Sequence, residues 1–377
     1  MTTFQQMNLP PRLYSVLEAM NFVTPTPIQS KAIPAAFSGR DLVGCAQTGT
    51  GKTAAFCIPI LVRLAEREDQ TALILAPTRE LAVQIHKVVE QLGAAFPELS
   101  SVLLIGGAPM PPQVRALKKN PRIIVATPGR LLDHLQQGTA SVSAVGFLVL
   151  DEADRMLDMG FAPQLARIRS YLPATRQTFF FSATFPESIR ATAVQFLKNP
   201  LVVTAGPASR PIAKIRQSVI ETTLEKKNDV LLDELGTRDG SVLIFTRTRR
   251  RTDRIARYLS RFGHSVARIH GDRNQSQRDS AIREFRSGSV RILVATDIAA
   301  RGLDIPKIAH VINYDLPQLP EDYVHRIGRT ARAGADGASL SLVLPEDRTQ
   351  WRRIASLCAP PASPAGFGQK ASARAGS

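Results

Sequence analysis

Asp41-Leu42-Val43-Gly44-Cys45-Ala46-Gln47-Thr48-Gly49-Thr50-Gly51-Lys52-Thr53 reads as an apolar strand, a glycine-rich turn and the start of a helix. That order is the context a phosphate-binding loop requires. Glycines at 49 and 51 let backbone N–H groups approach phosphate oxygens closely. The helix N-terminus adds unsatisfied donors and a favourable dipole. Lys52 is expected against the β- and γ-phosphates of a nucleotide, and Thr53 is expected to offer its hydroxyl to Mg²⁺. Gln47, Thr48 and Thr50 belong to the same cradle. Ala46 stands where the general pattern has its first glycine. A glycine-rich turn with an accidental lysine is the alternative, and the strand before and helix after argue against it.

Outward from this loop, short apolar runs alternate with stretches of helical spacing. Asp41–Ala46, Thr71–Ala76, Val102–Ile105, Arg122–Thr127, Phe147–Leu150 and Thr178–Phe181 read as strands in the first half. Continuous apolar strands of this length suit a parallel sheet covered on both faces. Glu80–Leu92 and Gln113–Lys119 read as helices between them. The second half repeats the rhythm, with strands at Val242–Phe245, Val266–Ile269, Ile292–Ala295, Ile308–Asn313 and Leu340–Leu344, and helices at Arg251–Phe262 and Arg278–Arg286. The expected fold is α/β: two tandem doubly wound domains, each a mostly parallel sheet with helices on both faces. The expected boundaries are 1–206, a Pro/Gly-interrupted linker at 207–214, 215–356, and a disordered basic tail at 357–377.

The chain has 377 residues, with 48 Lys and Arg against 32 Asp and Glu, a formal net charge of +16. Such a field attracts polyanions, or it simply solubilises the surface, and charge alone does not choose. The three cysteines, Cys45, Cys57 and Cys358, match no metal or disulfide spacing, which points to a reducing compartment. No signal segment and no apolar run of membrane-spanning length is visible, so the expectation is a cytoplasmic protein without membrane contact.

Asp151-Glu152-Ala153-Asp154 follows the apolar run Phe147–Leu150. A carboxylate at the end of a buried strand is placed to meet Mg²⁺ at the carboxyl edge of a sheet. Asp151 is expected on the metal through water, and Glu152 on the attacking water. Taken alone, the tetrapeptide reads as an acidic helix start capped by Asp151. Its pairing with the loop at Ala46–Thr53 favours the chemical reading.

The Asp-Glu-Ala-Asp tetrapeptide and the phosphate loop together resemble the DEAD-box ATP-dependent RNA helicases, and further motifs of that family occur in order from Phe4 to Gly334. The resemblance implies two RecA-like domains that close around ATP, Mg²⁺ and single-stranded RNA. It places Gln29, in Phe22-Val23-Thr24-Pro25-Thr26-Pro27-Ile28-Gln29, on the edge of adenine, with Phe22 beside it and Phe4 over the base. Without the family, Phe4 reads as a core residue. It assigns RNA contacts to Pro77, Thr78, Arg79, Gly106, Gly107, Thr127 and Arg130 in the first domain, and to Thr246 and Thr296 in the second. Gln275-Ser276-Gln277-Arg278 resembles the family's Q-x-x-R motif. Ser182 and Thr184, acting with Asp154, are implied to couple hydrolysis to strand separation. Gly302 is implied to face the γ-phosphate and Asp304 the ribose. His325, Arg329 and Arg332 complete the catalytic set, the two arginines stabilising charge on the γ-phosphate. Asn21 and Ala331 stand where the family has glycine; Asn tolerates a left-handed backbone, whereas Ala would be strained by one.

Aromatic residues are only 6% of the chain, so base stacking is not expected to be the main source of RNA affinity. The cluster Arg247, Arg249, Arg250, Arg251, Arg254 and Arg257 reads equally as a phosphate track or as a solvated helix face. A DNA translocase and a slowly turning RNA clamp are the rival readings; the Gln29 motif weighs against the first, and the intact Lys52, Glu152 and Arg329 set weighs against the second. The short, core-only layout resembles the bacterial RhlE-like group, which implies a monomer in ribosome assembly, on ribosomal precursor particles, or in an RNA-decay complex.

Overall fold

The computed structural model describes residues 3–46, 49–183, 185, 187–204, 215–300, 308–331 and 337–358. Its first lobe is built on a seven-stranded sheet of β1 (Leu42–Cys45), β2 (Thr71–Leu75), β3 (Ser101–Leu104), β4 (Ile123–Ala126), β5 (Val145–Leu150), β6 (Gln177–Ser182) and β7 (Leu201–Thr204). Their order in the sheet is β3-β4-β2-β5-β6-β1-β7, and every ladder is parallel. The second lobe carries β8 (Ile215–Glu221), β9 (Val242–Phe245), β10 (Val266–Ile269), β11 (Ile292–Ala295), β12 (His310–Asn313) and β13 (Gly337–Val343) in the order β10-β11-β9-β12-β13-β8, again all parallel. The two doubly wound α/β domains expected from the alternation of apolar runs are present.

Apolar residues from both faces of each central strand explain the continuous hydrophobic runs. In β6, Phe179 and Phe181 enter one core layer while Phe180 enters the opposite one; in β1, Leu42 and Val43 divide in the same way. Alternate side chains of a strand point to opposite faces, so a strand apolar at every position needs helices on both sides. The edge strands β7 and β8 escaped the sequence reading for the complementary reason. In β8 (Ile-Arg-Gln-Ser-Val-Ile-Glu) most side chains are exposed, and β7 alternates half-buried with exposed residues. The break between the lobes falls between Thr204 and Ile215; residues 205–214, which contain the expected linker, lie outside the described residues. The last helix, Arg348–Cys358, runs two residues into the expected tail.

Because all strands of a sheet run the same way, every strand–helix loop of interest opens on one edge. Strand order then sorts them. The adjacent strands β5, β6 and β1 deliver Asp151–Asp154, Ser182–Ala183 and the phosphate loop. The adjacent strands β3, β4 and β2 deliver Gly106–Gly107, Thr127–Arg130 and Pro77–Arg79. In the second lobe, β10, β11 and β9 lie together and deliver Gly271–Gln275, Thr296 and Thr246.

The two departures from glycine are both left-handed: φ is 56° at Asn21 and 55° at Ala331. Asn accepts this conformation, while Ala pays about 1–2 kcal/mol for it. Replacement by glycine releases that strain but returns roughly 0.5–1 kcal/mol through the freer unfolded chain. Ala331→Gly is therefore expected to stabilise the protein by up to about 1 kcal/mol. A urea unfolding midpoint that falls rather than rises would contradict the assignment of strain to Ala331.

Candidate active site

The phosphate loop closes on Gly51, which precedes the helix Lys52–Ala65 with φ 89°. Gln29 braces it. Its Oε1 accepts from the Thr26 backbone N–H (2.9 Å), and its Nε2 donates to the Gly51 carbonyl (3.2 Å). A Cβ at Gly51 would run into that amide, so glycine is required there for space as well as for φ. Gln29 is thus tied to the loop, with one N–H and one lone pair left over. Lys52 is buried, and its Nζ has no hydrogen-bond partner. A buried ammonium whose N–H donors are unmet is costly, even though Asp151 and Glu152 attract it. An anion placed over the helix start removes that cost, so the loop fits a phosphate. Thr53 is half-buried in the first helical turn; Thr50 and Gly49 (φ 81°) precede Gly51, and Gln47 and Thr48 lie outside the described residues.

At the end of β5, Asp151 and Glu152 are both buried, yet their acidities diverge. Burial pushes Asp151 up to about 6, against the pull of Lys52. Burial raises Glu152 too, but Arg155, Lys52 and Arg329 together overcome it and hold the carboxyl at about 2. Arg155 Nη1 donates to Glu152 Oε2 one helical turn away. Glu152 itself has φ 49°, a strained conformation for a residue with a Cβ, and such strain persists where surrounding structure fixes it. Asp154 links two loops: Oδ1 accepts from Arg155 N (3.0 Å) and Oδ2 from Ala183 N (3.1 Å). Ser182 is buried, and its carbonyl accepts from Ala46 N (3.0 Å), which ties the third loop to the first. Thr184 lies outside the described residues. A dication fits beside Asp151, because it would ease a buried carboxylate that burial penalises.

The second lobe reaches this site through the helix Pro320–Ile327 and the turn after it. Arg329 is buried and helps depress Glu152 across the lobe boundary. His325 faces Arg155, Asp154, Glu152 and Arg329; burial, with Arg155 next, lowers it to about 4, so it is a neutral imidazole at pH 7. Arg326 anchors the helix: it forms a fork to Asp297 (2.6 and 2.7 Å) and donates to Asn313 Oδ1 (3.0 Å). Gly302, Asp304 and Arg332 lie outside the described residues.

These contacts give closure a pH dependence. A histidine held below its ordinary value binds fewer protons in the closed state than when exposed. Stability of the closed state is then complete above about pH 6.5 and falls as pH drops toward 4, by at most about 1.4 kcal/mol per unit. Asp151 enters only through its burial, which raises it; Lys52, Glu152 and Asp154, which act on it by charge, all sit in its own lobe. Fluorescence energy transfer between dyes on the two lobes should show opening between pH 6.5 and 5, flattened in His325→Asn. An unchanged profile in that variant would refute the assignment.

The loops expected to face RNA form a second feature, an open cleft of about 650 Å³ lined by both lobes. Pro77, Thr78, Arg79, Gly106, Gly107, Thr127 and Arg130 line one wall, and Gly271, Arg273, Asn274, Gln275 and Arg278 the other. Arg79 Nη1 donates to Gln275 Oε1 (3.0 Å), and Arg278 pairs with Glu80 (2.7 Å), so the lobes are in direct contact across it. Thr296 lines an adjoining groove of about 440 Å³ with Arg247, Arg249 and Arg250.

Two expected positions differ. Phe4 is 4% exposed and belongs to the core of the first lobe, so its ring is packed instead of offered to a base; the short helix Phe4–Met7 turns it inward. Phe22 packs against the same core. Thr246 is fully buried, and its hydroxyl bonds Thr252 Oγ1 (2.7 Å), which leaves Arg247 and Thr248 of that loop at the groove. Conversely, Arg155 and Arg326 were not singled out from the sequence. Arg155 sits one turn past Glu152, a spacing that could have flagged it. Arg326 lies inside the stretch that holds His325 and Arg329, and its hydrogen-bond partners come from two other segments, at Asp297 and at Asn313 and Asp315.

Residues 26–192 match the DEAD/DEAH box helicase family, and residues 226–334 match the helicase conserved C-terminal domain. The DEAD-box ATP-dependent RNA helicase CshA of Geobacillus kaustophilus is 44% identical over 356 residues, covering 94% of this chain and 76% of that protein. The structure of S. cerevisiae Dbp5 bound to RNA and ADP BeF3 superposes with a TM-score of 0.82 at 33% identity, covering 95% of this chain and 93% of that one. A variant of the same protein bound to Nup159, Gle1, IP6 and ADP gives 0.65 at the same identity, covering 93% of each. The lobe arrangement here therefore resembles that of the RNA-bound form more closely.

Proposed function

The chain belongs to the DEAD/DEAH box helicase family, and from that premise we propose that it is an RNA-stimulated ATPase that separates short RNA duplexes locally. One observation carries the reading: the Glu152 carboxyl is held at about 2 by cations from both lobes, Arg155 and Lys52 on one side and Arg329 on the other. A site assembled from two lobes works only when they meet.

ATP lays its phosphates over the Lys52 helix start, where Nζ lacks a partner. Thr53 and Asp151 would hold Mg²⁺, which would neutralise charge on the phosphates. Glu152, ionised at any working pH, accepts a hydrogen bond from the attacking water and fixes its direction. Arg329 stabilises the charge that spreads over the γ-phosphoryl oxygens, with Arg332 as the second finger. RNA lies along the cleft between Thr78–Arg79 and Gln275–Arg278, contacted through phosphate and sugar and hence without base preference. ATP and RNA both favour the closed state, so each tightens the other by the same factor. Phosphate loss relaxes the Asp154–Ala183 link, and the cleft reopens.

The test is steady-state ATP hydrolysis with no nucleic acid, with an RNA oligonucleotide and with DNA of the same sequence. RNA should raise turnover and DNA should raise it little; absence of RNA stimulation overturns the proposal. A cytoplasmic monomer acting in ribosome assembly or RNA decay, in the manner of the RhlE-like group, is the finer form of the same proposal. Among the described residues no helix is long and apolar enough to cross a membrane. Crosslinking in cells followed by sequencing of bound RNA decides between ribosomal precursors and decay substrates.

A further inference from the structure

The helix Arg249–Arg261 (Arg-Arg-Arg-Thr-Asp-Arg-Ile-Ala-Arg-Tyr-Leu-Ser-Arg) is built in a way that folding does not repay. Its first turn carries three arginines and no acidic residue, at the end of the helix where the dipole disfavours cations. Arg250 and Arg254, and again Arg257 and Arg261, sit four residues apart, where like charges repel. Only part of this charge is neutralised within the fold. Arg251 pairs with the buried Asp315 (2.7 Å) and Arg249 with Asp272. Asp253, the helix's own carboxylate, is engaged by Arg268 (2.9 Å) and His270 (3.1 Å). Arg250, Arg257 and Arg261 are exposed and have no carboxylate partner among the described residues. With Arg254, which is also exposed, they fall at intervals of four, three and four residues, on one face roughly 17 Å long.

Two further features fix what this face is for. At its start, Arg250 lines the groove shared with Thr296, and Gly271 lines both that groove and the main cleft, so the arginine face continues the cleft outward. At its end, the rings of Tyr258 and Phe262 pack 4.9 Å apart between centroids, tilted by 52°, and Phe262 is 59% exposed. A basic track that ends in an open aromatic ring matches single-stranded nucleic acid, whose phosphates and unpaired bases take both.

We propose that the outer face of the helix Arg249–Arg261 is a second RNA-binding surface, which takes the single strand leaving the cleft, with Arg250, Arg254, Arg257 and Arg261 on its phosphates and Phe262 under one base. This surface rests on the RNA-helicase reading given above. It lengthens the bound segment without touching the catalytic groups, and it holds one strand of a separated duplex apart from its complement.

The test uses the full chain and the variants Arg257→Gln/Arg261→Gln and Phe262→Ser, all remote from the cleft. Binding is measured for a short oligoribonucleotide that fills only the cleft and for a longer one, across salt concentrations, with an ATP analogue present. The ratio of the two affinities is compared between proteins, so that the larger number of registers on the longer strand cancels. Wild type should prefer the longer strand by roughly tenfold more than either variant does, and the double variant should lose ~1.4 from the slope of log affinity against log salt on the long strand, at ~0.7 per phosphate. Short-strand affinity and the ATPase it stimulates should be unchanged. Variants that retain the wild-type length preference overturn the proposal, as do variants that lose affinity for both strands equally. If wild type itself fails to bind the short strand, the helicase reading fails instead. If the longer strand is preferred but an acidic polypeptide displaces its outer part more readily than RNA does, the surface belongs to a protein and the RNA assignment falls.

Discussion

Arg329→Ala is expected to lower the rate of ATP hydrolysis by ~10³–10⁵-fold while leaving nucleotide affinity within a few-fold of wild type. The separation of the two effects follows from where the groups sit. The phosphate loop, Lys52 and the two carboxylates belong to the first lobe, so on the proposed reading ATP binds whether or not the second lobe approaches. Arg329 arrives from the second lobe, on the turn after the helix Pro320–Ile327, is buried, and acts on Glu152 of the first lobe. Its charge therefore counts where negative charge grows on the transferred group, which is the condition for an effect on kcat instead of on binding. Arg329→Lys should recover only part of the loss, because an ammonium keeps the charge but not the planar fork of donors. Single-turnover hydrolysis alongside titration of a fluorescent ATP analogue separates the terms. A large fall in nucleotide affinity with intact single-turnover chemistry would remove Arg329 from the catalytic set. RNA affinity in the presence of ATP should weaken too, since closure is the state both ligands share.

How much of this was legible in the chain depends on whether the signal was local. The phosphate loop, Asp151–Asp154 and the central strands announce themselves within a few residues, because strand burial on two faces and close phosphate approach each impose a local composition. β9, β10 and β11 fall where the apolar runs place them. β8 was invisible because most of its side chains are polar, and β7, although apolar in Leu-Val-Val-Thr, is only four residues long; pairing with β13 and β1 defines them. The family motifs located the cleft residues but not their commitments. Thr246 was expected on RNA and is bound to Thr252, whereas Gln29, expected on a base, also braces the phosphate loop and keeps one N–H and one lone pair free. No sequence pattern reports whether a polar side chain such as Thr246 is spent on an internal partner. The contacts that join the lobes, Arg79–Gln275 and Glu80–Arg278, span nearly two hundred residues and are set by the docking of two sheets. The acidity of Glu152 is likewise a property of three cations gathered from both lobes.

That gathering makes Glu152→Gln the sharper probe of chemistry. The substitution is expected to slow hydrolysis by ~10²–10⁴-fold, the usual contribution of a positioned general base. Because Gln is isosteric and neutral, it also removes a negative charge from beside the incoming γ-phosphate, so ATP should bind as tightly as in wild type or more so. The ATP- and RNA-bound complex should therefore accumulate, and RNA should dissociate more slowly than from wild type under turnover conditions. Stability supplies an independent check. Without nucleotide, the variant leaves Arg155, Lys52 and Arg329 without their shared anion, though the amide oxygen still accepts from Arg155. The cost is then smaller than the ~3–5 kcal/mol of breaking a buried pair outright. With ATP bound, the phosphates compensate Lys52 and Arg329. The unfolding midpoint of the variant should thus fall in the free protein and recover with ATP, by more than the ligand stabilises wild type. A variant that turns over at the wild-type rate would show that Glu152 does not position the water. A midpoint lowered equally with and without ATP would show that its anion serves the fold of the first lobe and not the phosphate site.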